Sequence, residues 1–336
     1  MQGRMSAQHT GRGLWSLFRP RPLVAPALPA KEALEIMVTL WPSFPHFHRF
    51  ASDGRLAGIR LNSAMIGVPD LERELALLPE KNAVPLYFDV KGRQLRITEV
   101  HENPECLDIS LNHPIQVQTP TTVLFKAGAD HALLLDVTEG GYRLKFHQGP
   151  KFMVRVGESL HLRHPSLRVG GEQFVPAELE KIARVKAAGF SRYFLSYVQS
   201  ARDVDEFREL VGRDAEIFLK IENQKGLDYV AREFEKCDNL KLVAAQGDLY
   251  VELERPHQIL SALKLIIDKD PQACVGSRMM LSIMQEPVPS CADFEQVAWL
   301  YDRGYRNMML CDEICLKEDL LSASVNALDA FRQDYA

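Results

Sequence analysis

The sequence predicts an α/β protein built on a closed (β/α)8 barrel, a TIM barrel, with a small β-rich lid domain inserted after the third strand. Eight apolar, β-branched runs alternate with helix-like stretches, as parallel βαβ units require. They occupy about 300 residues, which fits such a barrel with an insertion. Between the third and fourth runs the helical pattern disappears. Short alternating strands take its place, punctuated by the turn pairs Gly140-Gly141 and Gly170-Gly171.

The individual elements follow from hydrophobic spacing. The eight predicted strands span residues 36–40, 57–61, 83–89, 192–197, 215–221, 241–245, 272–275 and 306–310. Apolar residues recur at helical spacing after seven of these strands. The predicted helices span residues 68–78, 176–187, 204–211, 227–234, 256–267, 291–302 and 317–331. Only the stretch after the first strand, 44–53, lacks a clear helical pattern.

Composition and pattern divide the chain into four segments. We expect a disordered N-terminal tail at 1–34, the first part of the barrel at 35–96, the lid domain at 97–174 and the second part of the barrel at 175–336. The first 31 residues carry five Lys or Arg and no acid, which an organelle presequence would share in part. We favour a disordered tail or an upstream start site over a presequence.

Charge and composition exclude several classes of function. The formal net charge is −5 and no basic stripe is interleaved with aromatic residues, so we expect no nucleic-acid partner. No apolar run approaches the ~18 residues that span a bilayer, so we expect no membrane association. The six cysteines show no disulfide framework, and no second pair or histidine cluster accompanies Cys311 and Cys315. This indicates reduced thiols in a cytoplasmic protein rather than zinc ligands.

In a barrel of this kind, reactive side chains come from the carboxyl ends of the strands. Nearly every predicted strand ends in a charged or hydroxyl residue, whereas the amino-terminal ends carry nothing comparable. These candidate site residues are Arg60, Asn62, Asp89, Ser196, Lys220, Glu222, Asp248, Ser277, Arg278, Asp312 and Glu313. Arg278 is more typical of a solvated rim than of a ligand contact, and Asp312 and Glu313 fit either role equally. His46, His48 and the histidines of the lid domain have no partner at metal spacing, so we interpret them as ordinary surface or packed residues.

Lys220, Glu222 and Asp248 are the most informative of these residues. Lys220 and Glu222 are two apart at a strand terminus, so their side chains lean toward the same face. Asp248 ends the next strand after Gly247, which permits a close backbone approach. Two carboxylates from neighbouring strands, with ligand positions left over, predict a Mg²⁺ or Mn²⁺ site that the substrate completes. The alternative is a salt bridge between Lys220 and Glu222 that merely caps the barrel, and the matching strand ends favour the site.

Seven motifs resemble those of the pyruvate kinase family, in family order along the whole barrel. Lys220-Ile-Glu-Asn-Gln-Lys-Gly226 resembles the family's Lys-Ile-Glu-Asn-x-x-Gly, and Ala245-Gln-Gly-Asp-Leu249 resembles its Ala-Arg-Gly-Asp-Leu. The other five are Ile59-Arg-Leu-Asn62, Phe88-Asp-Val-Lys-Gly92, Gly276-Ser-Arg-Met279, Glu286-Pro-Val-Pro-Ser290 and Met308-Met-Leu-Cys-Asp-Glu313. The resemblance implies a barrel of the phosphoenolpyruvate/pyruvate type.

The resemblance also implies a role for each matching position. Lys220 would stabilise charge on the transferring phosphoryl group and the enolate oxygen, Arg60 would bind phosphate, and Ser277 would position or protonate the enolate. Glu222 and Asp248 would hold the divalent metal. The remaining substrate-binding positions would be Gly247, Asn62, Asp89, Ser196, Arg96 and Arg278. An enolate and a metaphosphate-like species both need preorganised positive charge of this kind.

Most departures from the family fall on its nucleotide and effector side. Ala64 and Val90 replace residues of the monovalent-cation site, which argues against potassium. Six further positions carry a residue that differs from the family pattern, and in this chain they are Met65, Ile66, Gln94, Ala177, Glu178 and Tyr250. Because the sequence ends after the eighth helix, the family's carboxyl-terminal allosteric domain is expected to be missing.

Three interpretations of the function stay open. The first is phosphoryl transfer between phosphoenolpyruvate and an acceptor such as ADP. The second is metal-dependent lyase, aldolase or decarboxylase chemistry on pyruvate or oxaloacetate without a nucleotide, by analogy with related barrels. The third is an inactive relative that binds a metabolite or partner, which the retained metal carboxylates disfavour, because unpaired buried charges are costly. The expected ligand is phosphoenolpyruvate, pyruvate or a related 2-oxo acid, while nucleotide binding and a homo-oligomeric assembly are left open.

Overall fold

The computed structural model describes residues 33–79, 83–103 and 106–335. These residues belong to the compact unit Ala33–Ala336. The tail predicted for residues 1–34 lies outside the described residues except for its last two positions. In the described part of the chain, no helix combines the length and the apolar character that crossing a membrane requires.

The first part of the barrel holds three strands and two helices. They are β1 (Glu35–Thr39), α1 (Phe47–Ala51), β2 (Leu56–Asn62), α2 (Val68–Ala76) and β3 (Leu86–Val90). Helix α1 occupies the stretch with no clear helical pattern. It is only five residues long, too short to show a periodicity, and it is held by burial of Phe47, Phe50 and Ala51. Pro69 stands in the first turn of α2, where a missing N–H costs nothing.

The insertion after β3 is an antiparallel module with its own core. Its strands are β4 (Ile97–His101), β5 (Asp108–Leu111), β6 (Ile115–Gln116), β7 (Thr121–Phe125), β8 (Asp130–Thr138), β9 (Arg143–Phe146), β10 (His161–Leu162) and β11 (Arg168–Val169). Six of them form one sheet in the order β10-β7-β8-β9-β5-β4, and β11 pairs with β6. Phe125 and Phe146 pack with ring centroids 5.7 Å apart at its centre. The predicted β-rich insertion is confirmed, while its boundaries at residues 97 and 174 stay a prediction.

The second part of the barrel contributes five strands and the remaining helices. They are α3 (Pro176–Ala187), β12 (Arg192–Leu195), α4 (Ala201–Val211), β13 (Glu216–Ile221), α5 (Gln224–Arg232), β14 (Leu240–Ala245), α6 (Gln246–Glu252), α7 (Ile259–Lys269), β15 (Cys274–Gly276), α8 (Cys291–Asp302), β16 (Asn307–Met309), α9 (Asp312–Cys315) and α10 (Glu318–Asp334). Side chains cap the amino-terminal ends of several helices: Ser200 caps α4, Asn223 caps α5 and Ser290 caps α8. Helix α6 was not predicted. It begins directly after β14, so Asp248 lies in the first turn of a helix rather than at a strand end.

The eight barrel strands are parallel and close on themselves. Their order around the barrel is β1-β16-β15-β14-β13-β12-β3-β2. Closure is visible at β1, where Met37 pairs with Met309 of β16 and Thr39 pairs with Arg60 of β2. The predicted (β/α)8 barrel is therefore confirmed, with a strand at each of the eight predicted positions.

An aromatic layer fills the interior of the barrel. The rings of Phe194 and Phe218 stack with centroids 4.8 Å apart, and Tyr87 meets Phe218 edge-on at 5.3 Å. A side chain at Gly58 would come within 2.8 Å of the Tyr87 ring, so the glycine makes room for it. We call this layer the aromatic floor, which also includes Met37, Val243, Cys274 and Met309.

The aromatic floor determines what stands above it. Side chains two residues apart on a strand share a face, so the residues after Tyr87, Phe194 and Phe218 at this spacing project into the barrel mouth. These residues are Asp89, Ser196 and Lys220. The same alternation that buries the aromatic rings therefore delivers polar groups to one layer at the carboxyl ends of the strands.

Replacing a ring of the aromatic floor will destabilise the barrel strongly. Phe218→Ala leaves a cavity between fully buried neighbours, and we expect a loss of about 3–5 kcal/mol in the free energy of unfolding. Leu260→Ala, at a residue of α7 that is 54% exposed, serves as the control and should change it by less than about 0.5 kcal/mol. Urea titration followed by circular dichroism measures both. Equal effects would contradict the assignment of this layer as the barrel core.

Candidate active site

Buried polar side chains converge at the mouth of the barrel. Arg60 of β2, Asp89 of β3, Ser196 after β12, Lys220 of β13 and Glu222 after it are all buried. Charged groups are rarely found at such depth unless they are paired. Each of these residues was expected in the site from its position in the sequence, and the structure brings all five together.

Lys220 lies at the centre of this group. Its ammonium donates to Ser196 Oγ at 2.9 Å and forms ion pairs with Glu222 Oε1 at 2.9 Å and Asp89 Oδ2 at 3.6 Å. Burial alone would lower the pKa of Lys220, but the charges of Asp89 and Glu222 outweigh it and raise that pKa. The side chain is thus a permanently charged ammonium at the mouth of the barrel.

Asp89 is the carboxylate to which the cations bind. Its Oδ2 accepts from Arg60 Nε at 2.7 Å and from Lys91 Nζ at 2.8 Å, and its Oδ1 accepts from Ser196 Oγ at 3.1 Å. Burial would raise the pKa of Asp89, yet the charges of Lys220, Lys91 and Arg60 hold it far below its usual range. Asp89 is therefore ionised at every ordinary pH and orients three cations.

Asp312 joins the same network from α9. Its Oδ1 accepts from Arg60 Nη1 at 2.7 Å, and its Oδ2 accepts from Asn62 Nδ2 at 2.7 Å. Burial opposes ionisation, but Arg60 and Lys91 lower the pKa of Asp312. Of the two neighbouring acids that fitted either role, Asp312 thus belongs to the site, whereas Glu313 is exposed.

Glu222 and Asp248 form an acidic pair beside Lys220. Glu222 is only 1% exposed, and its Oε2 accepts from the Tyr197 amide at 2.5 Å. Burial is the largest influence on Glu222, and together with the charge of Asp248 it outweighs Lys220 and raises the pKa to about 7. Excess negative charge of this kind is relieved by a cation. Because each carboxylate oxygen keeps an unused lone pair, the pair fits a hard divalent ion.

The donor set is incomplete without further ligands. Among the described residues, no group of three or more His, Cys, Asp and Glu side chains has the geometry to hold a metal. Mg²⁺ and Mn²⁺ are commonly bound by one or two carboxylates, with water and substrate oxygens completing the shell. Glu222 and Asp248 could hold such an ion, and the roles assigned to them stay a prediction.

Gly247 and Ser277 meet at the ends of β14 and β15. The Gly247 amide donates to Ser277 Oγ at 2.8 Å, and a Cβ at Gly247 would lie 2.9 Å from that oxygen. Ser277, Arg278 and Met280 all have positive φ values, of 60°, 56° and 58°. Left-handed backbone is unfavourable for residues with a side chain and often marks functional positions. Here it turns the Ser277 hydroxyl toward the start of α6.

Two predicted substrate-binding residues lie apart from this group. Arg96 donates to Gly157 O at 2.7 Å and to Gln94 Oε1 at 2.5 Å. It reaches the site only through Gln94, whose Nε2 is 3.4 Å from Asp248 Oδ1. The Arg278 guanidinium lies 4.3 Å from the centre of the Tyr250 ring. A direct contact with a ligand at Lys220 is therefore not supported for either arginine.

Four residues of the site were missed. Lys91 follows Asp89 at the strand spacing of two and could have been found by that rule. Tyr197, His161 and Glu252 could not, because their contact joins the lid domain to the barrel: His161 Nδ1 lies 2.6 Å from Glu252 Oε1, and the Tyr197 hydroxyl donates to the same oxygen at 3.2 Å. His161 is a packed residue, as interpreted from the sequence, and its imidazole is also paired with a carboxylate beside the site.

The side of the mouth formed by β2 and α3 is occupied by another buried ion pair. Glu178 Oε2 accepts from Ser63 Oγ at 2.9 Å and from the Lys91 amide at 3.1 Å, and Lys181 pairs with Glu178 Oε1 at 2.8 Å. Lys181 also donates to Ser63 O at 2.8 Å. The neighbouring Met65 is exposed. The polar groups of Ser63, Glu178 and Lys181 thus bond to one another on this side of the mouth.

Comparison with known proteins identifies relatives of the chain. Residues 178–316 match the model of the pyruvate kinase barrel domain. The chain is 24% identical over 296 residues to pyruvate kinase of Methanocaldococcus jannaschii, covering 83% of this chain and 64% of that protein. It is 27% identical over 264 residues to pyruvate kinase of Dictyostelium discoideum, covering 68% and 50%, and 31% identical over 133 residues to that of Leishmania mexicana, covering 37% and 26%. The chain spans about half to two thirds of the first two relatives.

Removing the charge of Asp89 will destabilise the fold in a pH-dependent way. Asp89→Asn leaves Arg60, Lys91 and Lys220 short of a partner, and at pH 7 we expect a loss of about 3–5 kcal/mol in unfolding free energy. Because the folded pKa is depressed, wild-type Asp89 contributes its full stabilisation above the unfolded pKa of about 3.9 and loses it as pH falls below that value.

Urea titrations at pH 7 and pH 3 measure this difference. The gap between wild type and Asp89→Asn should be largest at pH 7 and smaller at pH 3. Asp70→Asn, which removes an exposed ion pair with Arg73, should differ from wild type by less than about 1 kcal/mol at both pH values. A gap that is constant with pH would contradict the buried ionised state of Asp89.

Proposed function

The chain is a member of the pyruvate kinase family, and from that premise we propose that it is a divalent-metal-dependent enzyme that stabilises the enolate of pyruvate. The reaction is phosphoryl transfer between phosphoenolpyruvate and an acceptor, with ADP as the first candidate. Several features of the barrel mouth support this proposal, and the buried Lys220 ammonium between two carboxylates is the one that carries it.

Lys220 supplies the positive charge that the reaction requires. Breaking the bond between phosphorus and the enol oxygen leaves negative charge on that oxygen and on the transferring phosphoryl group. A fixed ammonium stabilises both without rearrangement, since Asp89, Ser196 and Glu222 already orient it. In this proposal Lys220 is the group on which the rate depends most.

Arg60 and Ser277 complete the positioning of the substrate. Arg60 is held by Asp89 and Asp312, so its guanidinium is fixed before the substrate arrives and binds phosphate without loss of side-chain freedom. Ser277 Oγ accepts from the Gly247 amide, which leaves its own proton free to bond or protonate the enolate. The divalent ion held by Glu222 and Asp248 would neutralise charge on the phosphate and the enolate oxygen.

A second candidate is metal-dependent lyase or decarboxylase chemistry on a 2-oxo acid without a nucleotide. The observation that favours it is the cluster of Ser63, Glu178 and Lys181 beside β2. It places a carboxylate on the side where relatives would carry nucleotide-binding residues, as the sequence motifs imply. The same Lys220, Glu222 and Asp248 would serve this chemistry, because cleavage of oxaloacetate also leaves a pyruvate enolate.

The role of Lys220 can be tested without knowing the phosphoryl acceptor. Lys220→Met should lower the Mg²⁺-dependent exchange of pyruvate methyl protons in deuterated water by at least about 100-fold, which corresponds to roughly 2.7 kcal/mol. Proton exchange followed by NMR measures this enolisation directly. Lys241→Met is the matched control, since Lys241 forms a partly exposed ion pair with Glu216 at the amino-terminal ends of β14 and β13, away from the barrel mouth. Undiminished exchange in a folded Lys220→Met protein would remove the proposed role.

A second assay separates the two candidate reactions. Phosphoenolpyruvate and ADP are incubated with the enzyme and Mg²⁺ or Mn²⁺, and pyruvate formation is compared with consumption of oxaloacetate. Pyruvate formed at the expense of phosphoenolpyruvate supports phosphoryl transfer. Oxaloacetate consumption without any transfer to ADP would reject it in favour of the lyase.

A further inference from the structure

His161, Tyr197 and Glu252 form a largely buried polar contact between the lid domain and the barrel, which we call the lid triad. His161 belongs to β10 of the lid, Tyr197 follows β12, and Glu252 ends α6. Glu252 Oε1 lies 2.6 Å from His161 Nδ1 and 3.2 Å from the Tyr197 hydroxyl. The His161 side chain is 2% exposed and that of Glu252 is 13% exposed, so the contact is largely but not fully buried.

Both carboxylates of the proposed metal site are linked to this triad, Glu222 by a hydrogen bond and Asp248 by a shared helix. The Tyr197 amide donates to Glu222 Oε2 at 2.5 Å, and Tyr197 adopts a left-handed backbone with φ of 56°, which turns that amide toward Glu222. Asp248 lies four residues before Glu252 on α6, and residues at this spacing share one face of a helix. The lid is therefore connected to Glu222 through Tyr197, and to Asp248 through Glu252 and helix α6.

We propose that His161 is a positioning residue: when the lid domain lies on the barrel, it holds Tyr197 and Glu252 so that Glu222 and Asp248 keep the spacing needed for a divalent cation. The inference rests on the proposed function in taking these two carboxylates as the cation ligands. It adds that a residue of the lid, remote from the reacting atoms, sets the affinity of the ion.

The chemistry of the triad supports a positioning role over simple packing. An apolar side chain would fill the same interface without the cost of burying an imidazole, a phenol and a carboxylate together. Burial would lower the pKa of His161, but the hydrogen bond and charge of Glu252, helped by Asp248 and Glu222, raise it. The imidazole and the carboxylate thus form a directional contact, which an apolar interface lacks.

The coupling must act in both directions. If the lid contact tightens cation binding, then cation binding tightens the lid contact by the same factor, as linkage requires. Couplings of this kind are typically about 5- to 150-fold. Two separate measurements therefore report on one quantity: the affinity of the ion and the protection of β10.

The test uses Mn²⁺ alone as the probe on the full-length protein. Free Mn²⁺ is counted by electron paramagnetic resonance, and amide hydrogen exchange of residues 161–162 reports on the lid. We expect His161→Leu and Tyr197→Phe each to weaken Mn²⁺ binding at least about fivefold, and to abolish the protection of β10 that Mn²⁺ induces in wild type. Tyr197→Phe removes one hydroxyl and keeps the ring, so the fold should persist.

Two further variants complete the design. His161→Gln keeps a hydrogen-bond donor for Glu252 and should recover at least half of the lost binding free energy. His164→Leu removes a neighbouring lid histidine whose Nδ1 lies 2.7 Å from the hydroxyl of the lid residue Ser166, and its Mn²⁺ affinity should stay within twofold of wild type. The control distinguishes the lid triad from a general effect of removing lid histidines.

Two results would overturn the inference, and they differ. Mn²⁺ affinity unchanged in folded His161→Leu and Tyr197→Phe, while wild type binds the ion, would show that the triad fastens the lid without positioning the carboxylates. Absence of Mn²⁺ binding by wild type would instead reject the metal site of the proposed function. Pyruvate proton exchange in the same variants adds a third readout, since a positioning role predicts a higher Mn²⁺ requirement with little change in the rate at saturating metal.

Discussion

The site depends on a network of buried ion pairs centred on Asp89. Its carboxylate forms ion pairs with three cations, Arg60, Lys91 and Lys220. Two of these cations have a second acidic partner: Lys220 also pairs with Glu222, and Arg60 also pairs with Asp312. Each charge is tolerable at this depth only because its neighbours are in place, since breaking a buried pair costs far more than an exposed one. The network therefore holds its members in position before any substrate binds, and Asp248 adds the extra negative charge that a divalent ion would neutralise.

Much of this architecture could be predicted from the sequence, for identifiable reasons. The barrel strands are apolar runs whose period and length are local properties, so all eight were found. The carboxyl ends of the parallel strands all lie at the same mouth of the barrel, so a residue predicted at a strand end is also placed in space. This is why the sequence indicated Arg60, Asp89, Ser196, Lys220 and Glu222. Asp248 was placed after β14 by its position in the sequence, and its role in the site stays a prediction. The short helix α6 that carries it was not predicted, because seven residues give too little periodicity to separate a helix from a strand end.

What escaped prediction depends on contacts between distant segments. His161 and Glu252 are 91 positions apart, and only the packing of the lid domain on the barrel makes them neighbours. The left-handed backbone of Tyr197 and Ser277 could not be predicted either, because glycine is the usual sequence marker of this conformation and neither residue is a glycine. The resemblance implied that Arg96 and Arg278 bind substrate. In the structure Arg96 contacts a backbone carbonyl and Gln94, and Arg278 contacts the Tyr250 ring, so their substrate-binding role stays a prediction.

The stacked rings of Phe194 and Phe218 have a consequence for how such a chain can change over time. Because the rings and the polar layer of Asp89, Ser196 and Lys220 sit on the same faces of the same strands, the core and the candidate site share one register. Deleting a single residue within β13 would carry Lys220 and Glu222 to the face that meets the helices and would point a different side chain into the barrel. Loops and the lid can be lengthened, shortened or exchanged without this penalty. Such a barrel therefore tolerates substitutions along its strands and insertions between them far better than a deletion within a strand.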